Sequence, residues 1–327
     1  MSLLAVQGLR TVFAAGRRET AAVDDISFSV AEREVLAVVG ESGSGKSVTA
    51  LSIMGLLPQP GARVAAGSVH FDGQDLLALD ERAMRRIRGK GIGMVFQEPM
   101  TALHPLFSIG NQLVETIRAH ERLSVRAGRE RAVAMLRKVG IAAPERRFDD
   151  YPHQLSGGMR QRVMIAIALA CHPKLLIADE PTTALDVTIQ SQILDLLLSL
   201  RDELGMALII VTHNMGVVAE IADRALVMYA GRIVEEAAVE DLFDRPAHPY
   251  TRGLLASMPT LDNERRRLQA IPGLPPDPAS LPPGCRFAPR CSWQVAACAG
   301  AGPALVPASS AAGHTAACLR LGEIAAS

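Results

Sequence analysis

Apolar positions along this chain change period twice. From Leu3 to about Val95 the pattern is strand-like, broken by one glycine-rich turn and one helix. Val35 to Val39 is a continuous apolar run of strand length, Gly40 to Gly45 is the turn, and Lys46 to about Leu56 has helical spacing that stops before Pro58. Residues 99 to 172 read differently: helical periodicity in Ile109 to His120, Ala127 to Val139 and Gly158 to Cys171 replaces strands almost entirely, which predicts an inserted helical subdomain. Strand signals return at Leu175 to Ala178, Ala207 to Thr212 and Arg224 to Met228, with a helix from about Val187 to Leu204 between them. That alternation is the pattern of a parallel sheet with helical crossovers, so the first and third blocks are expected to share one core. After Glu236 come short helical stretches, Val239 to Phe243 and Tyr250 to Ser257, then the proline-rich run IPGLPPDPASLPPG and a cysteine-bearing tail. No internal repeat is present, so the unit occurs once.

Composition narrows the class. With 327 residues, 49% hydrophobic and 4% aromatic, the chain can bury a sizeable core and has room for about two domains. Lysine plus arginine equals aspartate plus glutamate at 34 each, so no global field draws it to nucleic acid or to an acidic membrane surface. The basic stretch Arg82 to Lys90 carries five positive residues without stacking aromatics and is read as a solvated helix face. Apolar runs such as Val163 to Cys171 and Ala207 to Val211 are far shorter than the roughly 20 residues that span a bilayer, and no export signal opens the chain. A soluble, cytoplasmic protein is expected. Four of the five cysteines fall after residue 284, which in a reducing compartment points to metal or cluster ligation rather than disulfides.

Candidate chemistry begins with GESGSGKS, the residues Gly40, Glu41, Ser42, Gly43, Ser44, Gly45, Lys46 and Ser47. Its glycines let successive backbone N–H groups turn onto an anion, and the helix that follows adds its positive end. Lys46 is placed to reach the β- and γ-phosphates of a nucleotide, and the Ser47 hydroxyl to ligate Mg²⁺. The second element, LLIADE (Leu175 to Glu180), is an apolar strand that delivers two carboxylates at its C-terminal end, where ligands bind in open parallel sheets. Asp179 is read as a Mg²⁺ ligand and Glu180 as the general base for water. Gln97 and His213 also end strand-like runs, within reach of the γ-phosphate, the lytic water or the Mg²⁺.

Taken in order, these elements are similar to the ATP-binding subunits of ABC transporters. Walker A is Gly40 to Ser47, the Q-loop glutamine is Gln97, the signature LSGGMRQ is Leu155 to Gln161, Walker B is Leu175 to Glu180, the D-loop is Ala184 to Asp186, and the switch histidine is His213. The resemblance implies an α/β P-loop NTPase cassette: a RecA-like parallel core, an antiparallel β subdomain and an inserted helical subdomain over about 99–172. The nucleotide-binding domain would cover 1–236 and a C-terminal extension 237–327. Phe13 is the candidate adenine-stacking residue. The resemblance further implies that Ser156, Gly157, Gly158 and Gln161 complete the ATP site of a partner cassette, with Asp186 beside them, so ATP joins two subunits. FQEPMTALHPLFSIGNQL (Phe96 to Leu113), AHPYTRGLLASMP (Ala247 to Pro259) and GCRFAPRC resemble the dipeptide, oligopeptide and nickel importer group. That group implies two transmembrane permease subunits, a second and different ATPase chain, an extracytoplasmic peptide-binding protein acting indirectly, and a peripheral position on the cytoplasmic face of the inner membrane. Import of nickel or another small solute is the neighbouring alternative, and a soluble ABC ATPase acting on nucleic acid the distant one.

Cys285, Cys291, Cys298 and Cys318 are separated by five, six and nineteen residues, without the paired C-x-x-C knuckles usual for zinc. Read from the residues alone, they are cluster ligands, zinc ligands with His314 replacing one cysteine, or buried thiols. The family resemblance implies a [4Fe–4S] cluster on these four. Cys171, at the end of an apolar helix, is expected in the core.

Overall fold

Residues 2–16, 18–183, 185–258, 270–308, 311 and 313–324 are described by the structure, a computed structural model. Strands β1 (Ser2–Ala15), β2 (Arg18–Ala31) and β3 (Val35–Val39) lead into helix α1 (Lys46–Met54). Strands β4 (Ala62–Phe71) and β5 (Gln74–Asp75), helix α2 (Glu81–Ile87) and strand β6 (Ile92–Val95) follow. A helical stretch comprises α3 (Pro99–Ala102), α4 (Ile109–His120), α5 (Val125–Lys138), α6 (Pro144–Arg147) and α7 (Gly157–Leu169). Next come β7 (Leu175–Asp179), α8 (Val187–Leu204), β8 (Ala207–Thr212), α9 (Met215–Ile221), β9 (Arg224–Tyr229) and β10 (Arg232–Ala238). The last elements are α10 (Val239–Asp244), α11 (Pro249–Ala256), β11 (Val306–Pro307), β12 (Thr315–Ala316) and α12 (Leu321–Ile324). Among the described residues no helix is long and apolar enough to cross a membrane.

The residues fall into two compact units. One comprises Ala31–Glu34 and Ala78–Val211. Its strands lie in the order β8-β7-β6, all parallel, with Ile92–Val95 in register with Leu175–Ala178 and Leu175–Asp179 with Ala207–Val211. Every residue of β7 is buried, as the unbroken apolar run requires of a parallel strand covered on both faces. Helix α4 is capped by Ser108, whose hydroxyl accepts from the Asn111 N–H, and buries Ile109, Leu113 and Ile117 at four-residue spacing. Burying each such side chain contributes about 1.5–3 kcal/mol. Helix α7 is instead covered around most of its circumference, burying Gln161, Val163, Met164, Ile165, Ala166, Ala168 and Leu169. Cys171 is 7% exposed, and its thiol donates to the Thr116 carbonyl at 3.8 Å. It is the core residue its position predicts.

Two local departures from the sequence reading occur. Helix α1 stops at Met54, because Gly55 takes a left-handed conformation (φ 61°) and its N–H turns back onto the Leu51 and Ser52 carbonyls. Helix α2 is not counted in the one-helix outline of Leu3 to Val95, but it bears out the solvated helix face read at Arg82 to Lys90. Asp80 caps it by accepting from Ala83 N–H at 2.7 Å, and Glu81 pairs with Arg85 and Arg88 at the surface. The basic stretch is therefore this short helix and the turn after it, with its charges in solvent or paired locally.

The other unit comprises Ser2–Val30, Val35–Leu77 and Thr212–Ser327. It holds an antiparallel sheet in the order β2-β1-β4-β5 and a second run of strands, β11-β12-β10-β9-β3. In the latter β3 is parallel to β9, Leu36 opposite Arg224 and Val39 opposite Val227, while β10 pairs antiparallel with both β9 and β12. The C-terminal extension thus adds strands to β10 directly. Glu235 of β10 is fully buried, accepts from Ala247 N–H at 2.7 Å and His248 N–H at 2.8 Å, and lies in hydrogen-bond contact with His314 Nε2 at 2.9 Å. A carboxylate withdrawn from water this far must be met by such donors. Beside it Tyr229, Tyr250 and Phe287 pack as an aromatic cluster, with ring centroids 4.7 to 5.4 Å apart.

Candidate functional site

The loop Gly40–Gly45 leaves β3 and enters α1 under tight steric control. A Cβ at Gly40 would lie 2.2 Å from the Met228 carbonyl oxygen, and one at Gly45, whose φ is 102°, would lie 2.6 Å from the Ala22 carbonyl oxygen. Only glycine fits either position. The loop is closed by Ser44 N–H on Glu41 O at 3.2 Å and by Gly231 N–H on Ser44 O at 2.9 Å. Lys46 is 4% exposed, and its Nζ donates to the Gly40 carbonyl at 2.7 Å and the Glu41 carbonyl at 2.9 Å. Among the described residues the buried Ser44 hydroxyl has no hydrogen-bond partner, and Ser47 stands half-buried in the first turn of α1. Ser42 and Gly43 are exposed. An orphaned hydroxyl, a buried ammonium and a helix N-terminus form a donor set that fits a polyphosphate.

Glu41 is held from outside the loop. Its N–H donates to the Tyr250 hydroxyl at 2.8 Å, and its carboxylate receives both arms of Arg290, Nη1 on Oε2 at 2.6 Å and Nη2 on Oε1 at 3.0 Å. The Arg290 side chain is 4% exposed and also donates from Nε to Pro272 O at 3.0 Å and from Nη1 to Tyr229 Oη at 3.3 Å. Hydrogen bonding to Glu41 holds Arg290 protonated even more firmly than usual, and burial pushes the Tyr250 phenol up. In the same unit His213 follows β8 and is exposed, beside Asn214, which caps α9 by accepting from Gly216 N–H at 2.8 Å. Phe13 lies near the end of β1, opposite Ala62.

The other unit presents the carboxylates. Asp179 closes β7 and is 5% exposed. Glu180 follows in a left-handed backbone conformation, φ 47°, pinned by its N–H on Val211 O at 2.9 Å. For a side-chain-bearing residue that conformation costs about 1–2 kcal/mol, the kind of strain found at functional positions. Glu180 Oε2 accepts from Gln97 Nε2 at 3.0 Å and from Thr183 Oγ1 at 2.8 Å. Two donors on one oxygen fix the carboxylate's plane, which suits a group that orients water.

Ser156 caps α7, accepting from Met159 N–H at 3.3 Å, and the exposed Gly157 opens the helix. A Cβ at Gly158 would come within 3.0 Å of Ile189 Cγ2, so α7 and α8 approach closely here. Gln161 is buried, and its Nε2 has no hydrogen-bond partner among the described residues. Asp186 is exposed and caps α8, accepting from Ile189 N–H at 2.9 Å. Ala184 of the predicted D-loop and Pro259 lie outside the described residues.

All four tail cysteines, Cys285, Cys291, Cys298 and Cys318, line one small cavity with His248, Phe287 and Trp293. Cys285 N–H donates to Cys298 O at 2.8 Å, and Arg320 N–H reaches Cys318 Sγ at 3.4 Å. Burial pushes the thiols of Cys285, Cys291 and Cys318 up. Among the described residues, no group of three or more His, Cys, Asp or Glu side chains is arranged to hold a metal ion. His314, the alternative zinc donor, is engaged with Glu235.

Three residues in these arrangements escape the sequence reading: Thr183, Tyr250 and Arg290. Thr183 stands in EPTT directly after Walker B, where its hydroxyl could have drawn notice. Tyr250 and Arg290 lie 209 and 249 positions from Glu41, and no spacing rule links residues so far apart.

The chain matches two family models, "ABC transporter" over residues 23–183 and "Oligopeptide/dipeptide transporter, C-terminal region" over residues 234–298. It is 56% identical over 335 residues to a protein of Brucella melitensis biotype 1 provisionally named a peptide import ATP-binding protein, with 99% of this chain and 98% of the relative covered. It is 50% identical over 297 residues to the oligopeptide transport ATP-binding protein AppD of Bacillus subtilis, covering 91% and 90%. Among solved structures it is similar to the dimeric post-hydrolysis state of the ATP-binding cassette MJ0796 bound to ADP and Pi, with a TM-score of 0.65, 31% identity, and 72% of this chain and 98% of that chain covered. It is also similar to cbiO1 of Clostridium perfringens, part of the ABC transporter complex cbiONQ, with a TM-score of 0.64, 30% identity, and 75% and 91% covered.

Proposed function

The chain belongs to the ABC transporter ATPases of the oligopeptide/dipeptide type, and from that membership we propose that it is the ATP-hydrolysing subunit of an importer that couples ATP binding and hydrolysis to uptake of dipeptides or oligopeptides across the bacterial inner membrane. The observation that carries this reading is that relatives named for peptide import match along nearly the whole chain, with the oligopeptide/dipeptide model covering residues beyond the cassette.

In this reading residues 1–236 form the nucleotide-binding domain, with the helical subdomain at about 99–172, and 237–327 form the importer-type extension. Gly40 to Ser47 hold the polyphosphate, Lys46 facing its β- and γ-phosphates. Ser47, Asp179 and Gln97 would hold Mg²⁺, which would supply charge neutralisation to the phosphates. Glu180, held by Gln97 and Thr183, takes the proton of the attacking water, and His213 senses the γ-phosphate. Ser156, Gly157, Gly158 and Gln161, with Asp186, serve the ATP of a second cassette. The α7 N-terminus, the positive end of the helix dipole, is chemically suited to that anion. Two permease subunits, a different partner ATPase and, indirectly, an extracytoplasmic peptide-binding protein complete the assembly, which places this chain peripherally on the cytoplasmic face.

For the tail the reading is that Cys285, Cys291, Cys298 and Cys318 ligate a [4Fe–4S] cluster. Four soft donors lining one cavity support it in kind. Such a cluster would supply redox chemistry or a structural staple, and Zn²⁺ is the other occupant.

The decisive experiment reconstitutes the chain in proteoliposomes with the membrane subunits and the binding protein. Hydrolysis and uptake driven by di- or oligopeptides are expected. Stimulation by Ni²⁺ alone moves the substrate to the nickel branch, and stimulation by DNA or RNA without membrane subunits overturns the importer reading.

A further inference from the structure

Glu41 poses an electrostatic problem. A loop that receives a polyanion carries a carboxylate as its second residue, and an uncompensated negative charge there would repel phosphate. Arg290 meets that charge with a two-pronged ion pair, 2.6 and 3.0 Å, from a guanidinium whose side chain is 4% exposed. Tyr250, itself fully buried, takes the Glu41 N–H at 2.8 Å. The Glu41 carbonyl in turn accepts from Lys46 Nζ at 2.9 Å. Backbone, side chain and carbonyl of one loop residue are thus tied, respectively, to α11, to the cysteine-bearing segment and to the phosphate-binding lysine.

We propose that Arg290 and Tyr250 are positioning residues of the nucleotide site: Arg290 cancels the Glu41 charge and, with Tyr250, holds the loop in the shape that presents Lys46 to phosphate. The proposal rests on Gly40–Ser47 being the phosphate loop. A segment with three glycines in eight residues loses much backbone entropy on ordering, so anchors outside the loop matter more here than in a helix. Arg290 is also the last residue of the short turn Ala288–Arg290, immediately before Cys291, so the tail reaches the loop through a single rigid side chain.

The test measures ATP dissociation constants, KM and kcat of the full chain. Arg290→Gln is expected to weaken ATP binding and raise KM by about tenfold, with kcat kept within about threefold. Raising salt should shrink the loss, because the uncovered Glu41 charge is then screened. The Glu41→Gln/Arg290→Gln double variant is expected to recover affinity to within about threefold of the parent. Packing alone would not give that recovery. Tyr250→Phe, which removes one oxygen, should weaken binding by about threefold. Parent-like affinity in Arg290→Gln, or a double variant no better than that single, overturns the proposal. If Arg290→Gln does not fold, parent-like ATP binding in Tyr250→Phe overturns it instead. Lys46→Ala separates the two readings: if that variant binds ATP like the parent, the phosphate-loop assignment itself is wrong.

Discussion

Gln97 Nε2 donates to Glu180 Oε2 at 3.0 Å, across 83 positions of sequence. The bond ties the end of one parallel strand to the residue after the next and sets the carboxylate's orientation before any substrate is considered. Replacing Glu180 by Gln keeps the shape and removes the proposed base. Phosphate release should slow by about 10²- to 10⁴-fold while equilibrium ATP binding stays intact. Turnover near the parent's rate would refute the assignment.

Thr183 shares that oxygen at 2.8 Å. Thr183→Val, nearly isosteric, should lower kcat by about three- to tenfold with KM for ATP unchanged, and Thr183→Ser should restore it. Steady-state kinetics decide: an effect confined to KM assigns the hydroxyl to nucleotide binding instead.

Lys46 is a buried ammonium satisfied by two carbonyls of its own loop. Lys46→Ala should weaken ATP binding by about 10²-fold, measured by equilibrium titration with a fluorescent nucleotide. The ATP-dependent rise in unfolding temperature should vanish with it.

His248 is held neutral: burial lowers its pKa from 6.5 to about 4, against an opposing pull from Glu235 and a hydrogen bond at the Ala317 backbone. Between pH 6.5 and 4 the unfolded chain takes up a proton that the folded chain refuses, so stability contributed by the neutral ring is present above pH 6.5 and lost as pH falls through that window. The loss approaches about 3 kcal/mol at its acid end. Denaturant unfolding at pH 7.5 and 4.5 should show it. His248→Asn, which keeps an acceptor for the Tyr250 N–H, should flatten the acid limb by up to about one proton. An unchanged limb removes His248 as the cause.

Anaerobically purified protein should show broad visible charge-transfer absorbance with iron and sulfide in equal amounts, and Cys291→Ser should lose it. Stoichiometric zinc without iron, or neither metal, eliminates the cluster.

The parts legible in the sequence are those whose physics is local. GESGSGKS needs only consecutive backbone groups, LLIADE only a buried run ending in acids, and α4 only a four-residue stripe, so each reads from a dozen neighbouring positions. Helix α2 showed in the sequence only as a charged face, because Met84 is its one buried residue, beside half-buried Ala83 and Ile87. The strained φ of Glu180 and the Thr183 bond come from the turn after β7, whose composition offers a hydroxyl but does not say which oxygen it meets. The Arg290 fork on Glu41 comes from tertiary packing alone, since nothing near either residue announces the other.

That fork also imposes an order in time. Synthesis runs from the N-terminus, so the phosphate loop leaves the ribosome 249 residues before the guanidinium that balances its carboxylate. At about 5–20 residues per second the interval is about 12 to 50 seconds. Throughout it the nascent cassette carries an acidic, unbraced loop, and its last-made segment is the one that completes its first-made chemistry.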